Sequence, residues 1–415
     1  FESRLALFLF YSGNLFTRVS AIFVTGHSYT FSFSREYFTM IQKVSSFLKK
    51  DTVLTIALAL AVLSMFIIPP SAGYLGYLDL HTLILLFGLM TATTGLQNIG
   101  FFRQLGELLL LRIHSLRQLE QLLILLCFFS SMLITNDVAL ITFVPFALEL
   151  LRMVNRKDRI VPVVVCQTLA ANLGSMTTPV GNPQNLYLYS HFELSLDTFI
   201  RSIGPFSLLS LVLLLLVTMF TPRETISLDT AGRDTTSDET FPKRCLFCRL
   251  FFLCLCTVAG LLPLPILFIC ILAIGCLADP KIFCQVDYSL ILTFIGFFIF
   301  IGNLKHIPAV SSLLSSMITG HEVIVSVLAS QVISNVPTAI LLSGFTEKGV
   351  SLLIGTNLGG LGTLIASMAS LISYKYIVRS CPEKKGIYFR WFTIANAGFL
   401  VILMAVYFLV FYSIR

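Results

Sequence analysis

A polar pair inside an apolar stretch is the clearest chemical feature of the sequence. Asn136 and Asp137 stand side by side in "ITNDVALITFVP", residues 134–145, with apolar residues on both sides. A carboxylate at membrane depth costs at least roughly 2.5–3.5 kcal/mol, so its default interpretation is functional. The structural alternative is a tip residue that accepts hydrogen bonds from the free N–H groups of the next helix. The two roles are compatible, and we expect Asp137 to bind an ion.

A later stretch repeats this pattern. In "ISNVPTAILLSG", residues 333–344, Asn335 matches Asn136, whereas Val336 stands where the first stretch has Asp137. An Asn side chain offers a carbonyl oxygen to a cation and an amide to an anion. Hydroxyl groups accompany both tips at equivalent offsets, and such oxygens suit a hard cation such as sodium. These hydroxyl residues are Ser131, Thr135, Ser330 and Ser334. The alternative is that the serine one turn earlier bonds to the backbone of its own helix.

A third motif interrupts a helix. "GSMTTPVGNPQN", residues 174–185, contains Pro179 and Pro183, which break backbone hydrogen bonds, and Gly174 and Gly181, which permit unusual angles. A broken helix at membrane depth presents free N–H groups to anions and free carbonyl groups to cations. Gly359, Gly360 and Gly362 interrupt the second half in the same way. The alternative is an ordinary helix with a proline kink.

Two sets of candidate ligands follow from these motifs. The candidates for the coupling ion are Ser131, Thr135, Asn136, Asp137, Gly174, Ser330, Ser334 and Asn335, with sodium expected at Asn136 and Asp137. The candidates for the substrate are Asn136, Thr177, Thr178, Pro179, Gly181, Asn182, Asn335, Val336, Pro337, Thr338, Asn357 and Thr363. The motifs contain no Lys or Arg, so an anion would be held by helix N-termini and by Asn and Thr side chains.

The composition places these motifs in a membrane. Of the 415 residues, 56% are hydrophobic and 12% are charged, and the mean hydropathy is +0.89. A soluble domain has about 25% charged residues, and here runs of roughly 18–25 apolar residues recur. The net charge of +7 comes from short basic loops, not from a nucleic-acid-binding stretch. The sequence predicts a multi-pass protein of the inner (plasma) membrane whose partners are the lipid bilayer and a small anion.

Enzyme chemistry and resident cofactors are not expected. The CxxC of Cys245 and Cys248 lacks a second pair at zinc spacing and a nearby His, so we predict no transition-metal site. No nucleophile–base set is visible either. Sodium or a proton would be the coupling ion, and no cofactor is predicted.

The predicted fold is an all-α polytopic membrane protein with two inverted repeats. Each repeat has a re-entrant helical hairpin and a broken transmembrane helix, giving about nine spans plus two hairpins counted from Met40. This topology places nearly every basic cluster on the cytosolic side, together with the N-terminus. The first predicted segments are upstream sequence (1–39) and a first repeat (40–220), which has a hairpin at 119–151 and a broken helix at 160–190. A cytosolic linker (221–244) and a linking helix (245–262) follow. The second repeat (263–415) has a hairpin at 321–345 and a broken helix at 350–376.

The motifs "TNDVALITFVP", "TPVGNPQN" and "QVISNVPTAILL" resemble the ion transporter superfamily, in particular its citrate-transporter and arsenite-permease group and the uncharacterised bacterial permeases within it. In the divalent anion–sodium symporters of this superfamily, a Ser-Asn-Thr motif at each hairpin tip helps to form a sodium site. The matching positions here are Thr135, Asn136 and Asp137, then Ser334, Asn335 and Val336. Asp137 replaces a hydroxyl residue, and Val336 removes a ligand from the second site. The resemblance also implies elevator-like movement and a homodimer.

The sequence therefore predicts a secondary active transporter that moves a carboxylate or an inorganic oxyanion with sodium or protons. Asn335, Thr178, Asn182 and Asn357 would hold the substrate or a second ion. One alternative is an efflux permease for arsenite or a related oxyanion, and another is a sodium–proton antiporter. From a different class, the fold could serve as a non-transporting receptor or assembly subunit.

Overall fold

The computed structural model describes residues 52–110, 113–226 and 240–412. These residues are almost entirely helical, and their only β-type pairing is an isolated bridge between Ser115 and Thr225. The chain is an all-α polytopic membrane protein, as predicted. The predicted upstream sequence, residues 1–39, and most of the predicted linker lie outside the described residues.

Seventeen α-helices account for most of the described chain. The first half contains α1 (Thr52–Met65), α2 (Leu80–Asn98), α3 (Phe101–Leu110), α4 (Leu116–Ile134), α5 (Asn136–Met153), α6 (Ile160–Ser175), α7 (Pro183–His191) and α8 (Leu196–Met219). The second half contains α9 (Thr240–Val258), α10 (Leu264–Ala278), α11 (Tyr288–Lys305), α12 (Pro308–Ile318), α13 (Glu322–Ile333), α14 (Asn335–Ser343), α15 (Gly349–Gly359), α16 (Met368–Ser380) and α17 (Lys385–Tyr407).

Five helical segments in the described residues are long and apolar enough to cross a membrane, or six if the bent pair α12 and α13 forms one span. The five are α2, α4, α8, α11 and the segment Pro382–Val410, which includes α17. Other apolar helices, such as α10, are shorter. The structure divides some of the nine predicted spans into shorter helices. Residues 160–190, for example, form α6, a break and α7. The total of nine spans therefore stays a prediction.

The helices α4 and α5 fold back on each other and form hairpin 1. The Gln167 side chain shows this directly, since its Nε2 donates to the backbone oxygens of Leu123 in α4 (3.3 Å) and Phe143 in α5 (3.2 Å). The first arm is longer than the sequence pattern predicts. It begins at Leu116 and not at residue 119, because Ser115 and Gln118 form a capping box.

The helices α13 and α14 form hairpin 2, and the two hairpin tips have almost the same backbone conformation. Thr135 has φ 70° and ψ 153°, and Ser334 has φ 72° and ψ 156°. Positive φ is uncommon for residues other than glycine, and this region costs of order 1–3 kcal/mol. Shared strain of this kind clusters at ligand sites and moving segments, which is consistent with a special role for both tips.

Helix packing around the hairpins has a reciprocal pattern. Helix α6 packs against both arms of hairpin 1, and α15 packs against both arms of hairpin 2. The second arm of each hairpin also contacts a helix from the other half, because α5 packs on α16 and α14 packs on α7. Helices α1 and α11 form a close pair, as do α2 and α9, while α11 also contacts α14 and α2 also contacts α7. A duplicated fold would produce such a pattern. The boundaries of the two repeats, 40–220 and 263–415, stay a prediction.

An ion pair connects the base of each hairpin to the residue before the adjoining broken helix. At hairpin 1, Arg159 Nε lies 2.7 Å from Glu120 Oε1, and the Glu120 side chain is 3% exposed. At hairpin 2, Lys348 Nζ lies 3.3 Å from Glu322 Oε1. A buried carboxylate needs such a partner, so both pairs hold the hairpin bases in place.

Candidate functional site

The first break separates α6 from α7 at residues 176–182. Its free carbonyl groups are held by Asn185 in α7, whose Nδ2 lies 3.2–3.3 Å from three backbone oxygens, those of Ser175, Met176 and Thr178. Gly181 allows the chain to turn closely, because a Cβ there would lie 2.1 Å from the backbone oxygen of Ser175. The motif therefore forms a broken helix, as predicted, and not a kinked one.

The second break separates α15 from α16 at residues 360–367 and is held from outside the broken helix. Gln331 in α13 donates through Nε2 to the backbone oxygens of Gly359 (3.0 Å) and Leu361 (2.9 Å). Its Oε1 accepts the backbone N–H of Thr363 at 2.9 Å. Gly362 has φ 106°, a conformation that favours glycine.

A buried polar cluster joins the tip of hairpin 1 to both broken helices. Asn136 Nδ2 donates to Asn172 Oδ1 in α6 at 3.0 Å. The same oxygen accepts the hydroxyl of Ser367, the residue before α16, at 3.0 Å. Asn172 Nδ2 in turn donates to Ser370 Oγ in α16 at 3.2 Å. The side chain of Asn172 therefore links three elements that are far apart in the sequence.

A related contact joins the other pair of half-helices. Asn357 Nδ2 in α15 donates to Asn185 Oδ1 in α7 at 2.7 Å. Asn172 and Asn357 both precede a Leu-Gly pair, and each contacts the distal half-helix of the other half of the chain. The sequence prediction included Asn357 but missed Asn172, Ser367 and Ser370. The repeated "NLG" was the available signal for Asn172.

Within three residues of a hairpin tip or a helix break, three buried side-chain oxygens accept no hydrogen bond from the described part of the chain. They are Asp137 Oδ1, Asn182 Oδ1 and Asn357 Oδ1. Asp137 also forms no ion pair with a described residue. An unsatisfied buried acceptor costs about 1–3 kcal/mol, and more if it is charged. Oxygen atoms of this type are the ligands that hard cations prefer, and a carboxylate also binds a proton.

The four helices that start at the tips and breaks share one feature. None of them has a side-chain hydrogen bond from its N-cap residue to the first turn. The helices and their N-cap residues are α5 (Thr135), α7 (Asn182), α14 (Ser334) and α16 (Ser367). Two of their N–H groups are taken, that of Asp137 by Asn136 Oδ1 and that of Asn335 by the backbone oxygen of Ala366. The macrodipole of a helix without an N-cap hydrogen bond still favours negative charge at its N-terminus, so this part of the molecule is suited to an anion as well as to a cation.

The predicted serines lie at close contacts between hairpins and broken helices. Ser131 Oγ donates to the Phe128 backbone oxygen at 2.9 Å, and Ser330 Oγ donates to that of Ser326 at 2.7 Å. Both hydroxyls thus bond within their own helix, yet each faces a glycine of the broken helix. A Cβ at Gly174 would lie 2.7 Å from Ser131 Oγ, and one at Gly359 would lie 2.6 Å from Ser330 Oγ.

The predicted threonines in and near the breaks are engaged by the protein. The Thr177 hydroxyl bonds to Ser207 in α8, and that of Thr178 donates to the Met132 backbone oxygen. Thr363 is exposed, and its hydroxyl donates to the Gln331 backbone oxygen at 3.1 Å. Pro179 is buried in the first break. These residues shape the breaks, whatever part they have in binding.

The predicted residues at the tip of hairpin 2 are buried and bonded to the second break. Asn335 N–H and Ser334 Oγ both donate to the backbone oxygen of Ala366, at 3.0 and 3.3 Å. Thr338 Oγ1 donates to the Ser334 backbone oxygen at 2.8 Å. Val336 and Pro337 are also buried. The second tip is thus closed onto its break by hydrogen bonds.

Asn172→Ala is expected to reduce the initial transport rate about tenfold. The change leaves the Asn136 amide and the Ser367 hydroxyl without their shared acceptor, at a cost of about 1–3 kcal/mol for each group. The rate is to be compared in proteoliposomes with that of Asn98→Ala, which removes an exposed amide. Equal rates in the two variants would contradict a role for Asn172 in the site.

Comparisons with known proteins agree with this architecture. A family model described as citrate transporter matches residues 38–347. Inner membrane protein YbiR of Escherichia coli (strain K12) is 31% identical over 322 residues, which cover 75% of this chain and 84% of YbiR. The uncharacterized transporter MJ0456 of Methanocaldococcus jannaschii is 36% identical over 258 residues, covering 61% of this chain and 69% of that protein.

A third relative matches a smaller part. The silicon efflux transporter LSI3 of Oryza sativa subsp. japonica is 36% identical over 128 residues, or 31% of this chain and 26% of LSI3. The family match covers most of the chain, and its relatives are named as membrane proteins and transporters. The chain is therefore a multi-pass membrane transporter that belongs to the citrate transporter family.

Proposed function

We propose that the protein is a secondary active transporter that moves a small anion, a carboxylate or an inorganic oxyanion, with sodium or protons. The observation that carries this proposal is the set of unsatisfied buried oxygens, led by Asp137 Oδ1, beside four uncapped helix N-termini. The oxygens favour a cation, and the N-termini favour an anion. Both features occur at the hairpin tips and the helix breaks.

Asp137 links the ion to the substrate in this proposal. Its ionised carboxylate is costly at this depth unless a cation or a proton neutralises it. Asn136, the adjacent residue, accepts the Asp137 backbone N–H at 3.0 Å and donates to Asn172. Ion binding at Asp137 would therefore affect the hydrogen bonds of the polar cluster through Asn136, and this cluster contacts α16.

The transport movement is proposed to be elevator-like. The hairpins and broken helices would move as one body, because α6 and α15 pack within their hairpins and the base ion pairs join them. The helix pairs α1–α11 and α2–α9 would form the scaffold, and α14 and α7 would move against α11 and α2. We further propose a homodimer in the inner membrane with a cytosolic N-terminus counted from Met40, as the loop charges and the family resemblance suggest.

Efflux of an oxyanion is a second candidate. The supporting observation is the match to a protein named as a silicon efflux transporter. The matched residues cover 26% of that protein. The sites of uptake and efflux would be the same, and the direction would depend on the gradients. Because the family and these relatives are named as transporters, we propose transport and no enzymatic reaction.

Proteoliposomes containing the full chain would test the function. Uptake of labelled citrate, smaller dicarboxylates, sulfate, phosphate, arsenite and silicate is to be measured with a sodium gradient, with a pH gradient and with neither. We expect one class of small anion to be accumulated with one of the two gradients. Sodium–proton exchange that needs no anion would overturn the proposal in favour of an antiporter.

A further inference from the structure

The junction between hairpin 2 and the second break has an amide nitrogen at its centre. Gln331 Nε2 lies 3.2 Å from the backbone oxygen of Val327, 3.0 Å from that of Gly359 and 2.9 Å from that of Leu361. Carbonyl oxygens at the end of an interrupted helix are the groups that coordinate cations in broken-helix transporters. Here the partly positive N–H₂ group of a fixed side chain faces these oxygens.

The backbone of the second break is shaped around this side chain. Gln331 Oε1 accepts the Thr363 N–H, and the Gln331 backbone oxygen accepts the Thr363 hydroxyl. A Cβ at Gly362 would lie 2.3 Å from Gln331 Oε1, so the close approach requires glycine there. The glutamine therefore holds both sides of the break, and its position is a built feature of the fold.

The junction between hairpin 1 and the first break is arranged differently. Ser131 and Ser330 occupy equivalent positions, so the counterpart of Gln331 is Met132, whose side chain has no hydrogen-bond donor. The first break's carbonyls are held by Asn185, which belongs to the broken helix itself. They are thus satisfied without an amide from the hairpin.

The two junctions also differ in charge. The carboxylate lies at the junction that has no hairpin amide. The first tip carries Asp137, whose Oδ1 accepts no hydrogen bond from the described residues. The second tip carries Val336 at the matching position. One junction therefore has a carboxylate that lacks a partner, and the other has a hairpin amide and no carboxylate.

We propose that the Gln331 amide takes the place of a second coupling cation, so that the protein binds one coupling cation per molecule, at Asp137. The coupling role of this cation rests on the proposed function, whereas the replacement of a cation by an amide is a property of the binding site itself. Gln331 is a positioning residue in this proposal, because its hydrogen bonds hold the second break and thereby set the positions of α15 and α16.

Thermal unfolding of the purified full chain in sodium chloride and in choline chloride tests the proposal. Gln331→Glu exchanges the N–H₂ donor for an acceptor, so its carboxylate and the carbonyl oxygens together require a cation. We expect sodium to raise its midpoint temperature by roughly 3 °C more than it raises that of the wild type. Gln331→Met, which copies the residue of the first half, should unfold at a lower temperature and be partly restored by sodium.

Gln167→Met is the matched control. It also removes a buried amide that donates to two backbone oxygens, but these lie within hairpin 1 and outside the breaks. Its unfolding temperature should fall without any additional response to sodium. If folded Gln331→Glu and Gln331→Met respond to sodium as the wild type and the control do, the amide does not replace a cation.

Transport by the wild type tests the number of coupling cations independently of whether these variants fold. Gradient-driven uptake should depend on the coupling ion, sodium or proton, with a Hill coefficient of about 1. A coefficient of about 2 would overturn the single-cation proposal. The proposed function fails in a different way, through the absence of gradient-driven uptake, and the unfolding experiment does not depend on that result.

Discussion

Asp137→Asn is expected to lower gradient-driven uptake by about 100-fold or more, because the amide can no longer bind and release a coupling cation or a proton during the transport cycle. The side chain keeps nearly the same volume, so the tip should keep its conformation. Its unfolding temperature should not fall, since the change removes a half-buried carboxylate whose Oδ1 is buried and unsatisfied. Uptake is to be measured under a sodium gradient and under a pH gradient, with exchange of internal for external substrate measured alongside.

Asp197→Asn provides the control for Asp137→Asn. Asp197 pairs with Arg201 one turn later in α8, and both side chains are well exposed, so the pair contributes little. This variant should transport at the wild-type rate. If folded Asp137→Asn keeps the wild-type dependence on either gradient, Asp137 does not carry the coupling ion, and another of the unsatisfied oxygens must be considered.

The sequence was sufficient to find the tips and breaks because their signals are local. A polar pair in an apolar run marks hairpin 1, and two prolines with two glycines mark the first break. The hairpin register followed from the repeated Asn residues. The start of α4 was misplaced because the run of apolar residues begins after the capping box of Ser115 and Gln118, whose residues are polar.

The contacts that complete the site were not predictable in the same way. Asn172 contacts Ser370 across 198 positions of the sequence, and Gln331 contacts Leu361 across 30. An isolated Asn or Gln in an apolar helix has the same local pattern whether it bonds to its own helix or to a distant one. Only the folded arrangement shows that Asn172 joins three elements, while Asn396 bonds within its own helix.

Gly174→Ala should strongly destabilise the protein and abolish transport. A Cβ at this position would lie 2.1 Å from the backbone oxygen of Phe128 and 2.7 Å from Ser131 Oγ. A backbone atom cannot rotate away, so α4 and α6 must separate by about 1 Å, and close-packed interiors resist such a shift. A displacement of about 1 Å can also cost about 100-fold in activity when it misplaces binding groups.

Gly204→Ala is the matched change in a helix with free space. The nearest heavy atom to a Cβ there is Ile200 Cγ2 at 3.8 Å, so the variant should be as stable as the wild type or slightly more stable, given the higher helix propensity of alanine. Folded yield, unfolding temperature and uptake are to be measured for both variants. Equal stability and uptake would mean that hairpin 1 and the first broken helix are not held at the distance found here. Since the Asn136–Asn172 contact depends on that distance, such a result would also mean that the polar cluster is not held together by this contact.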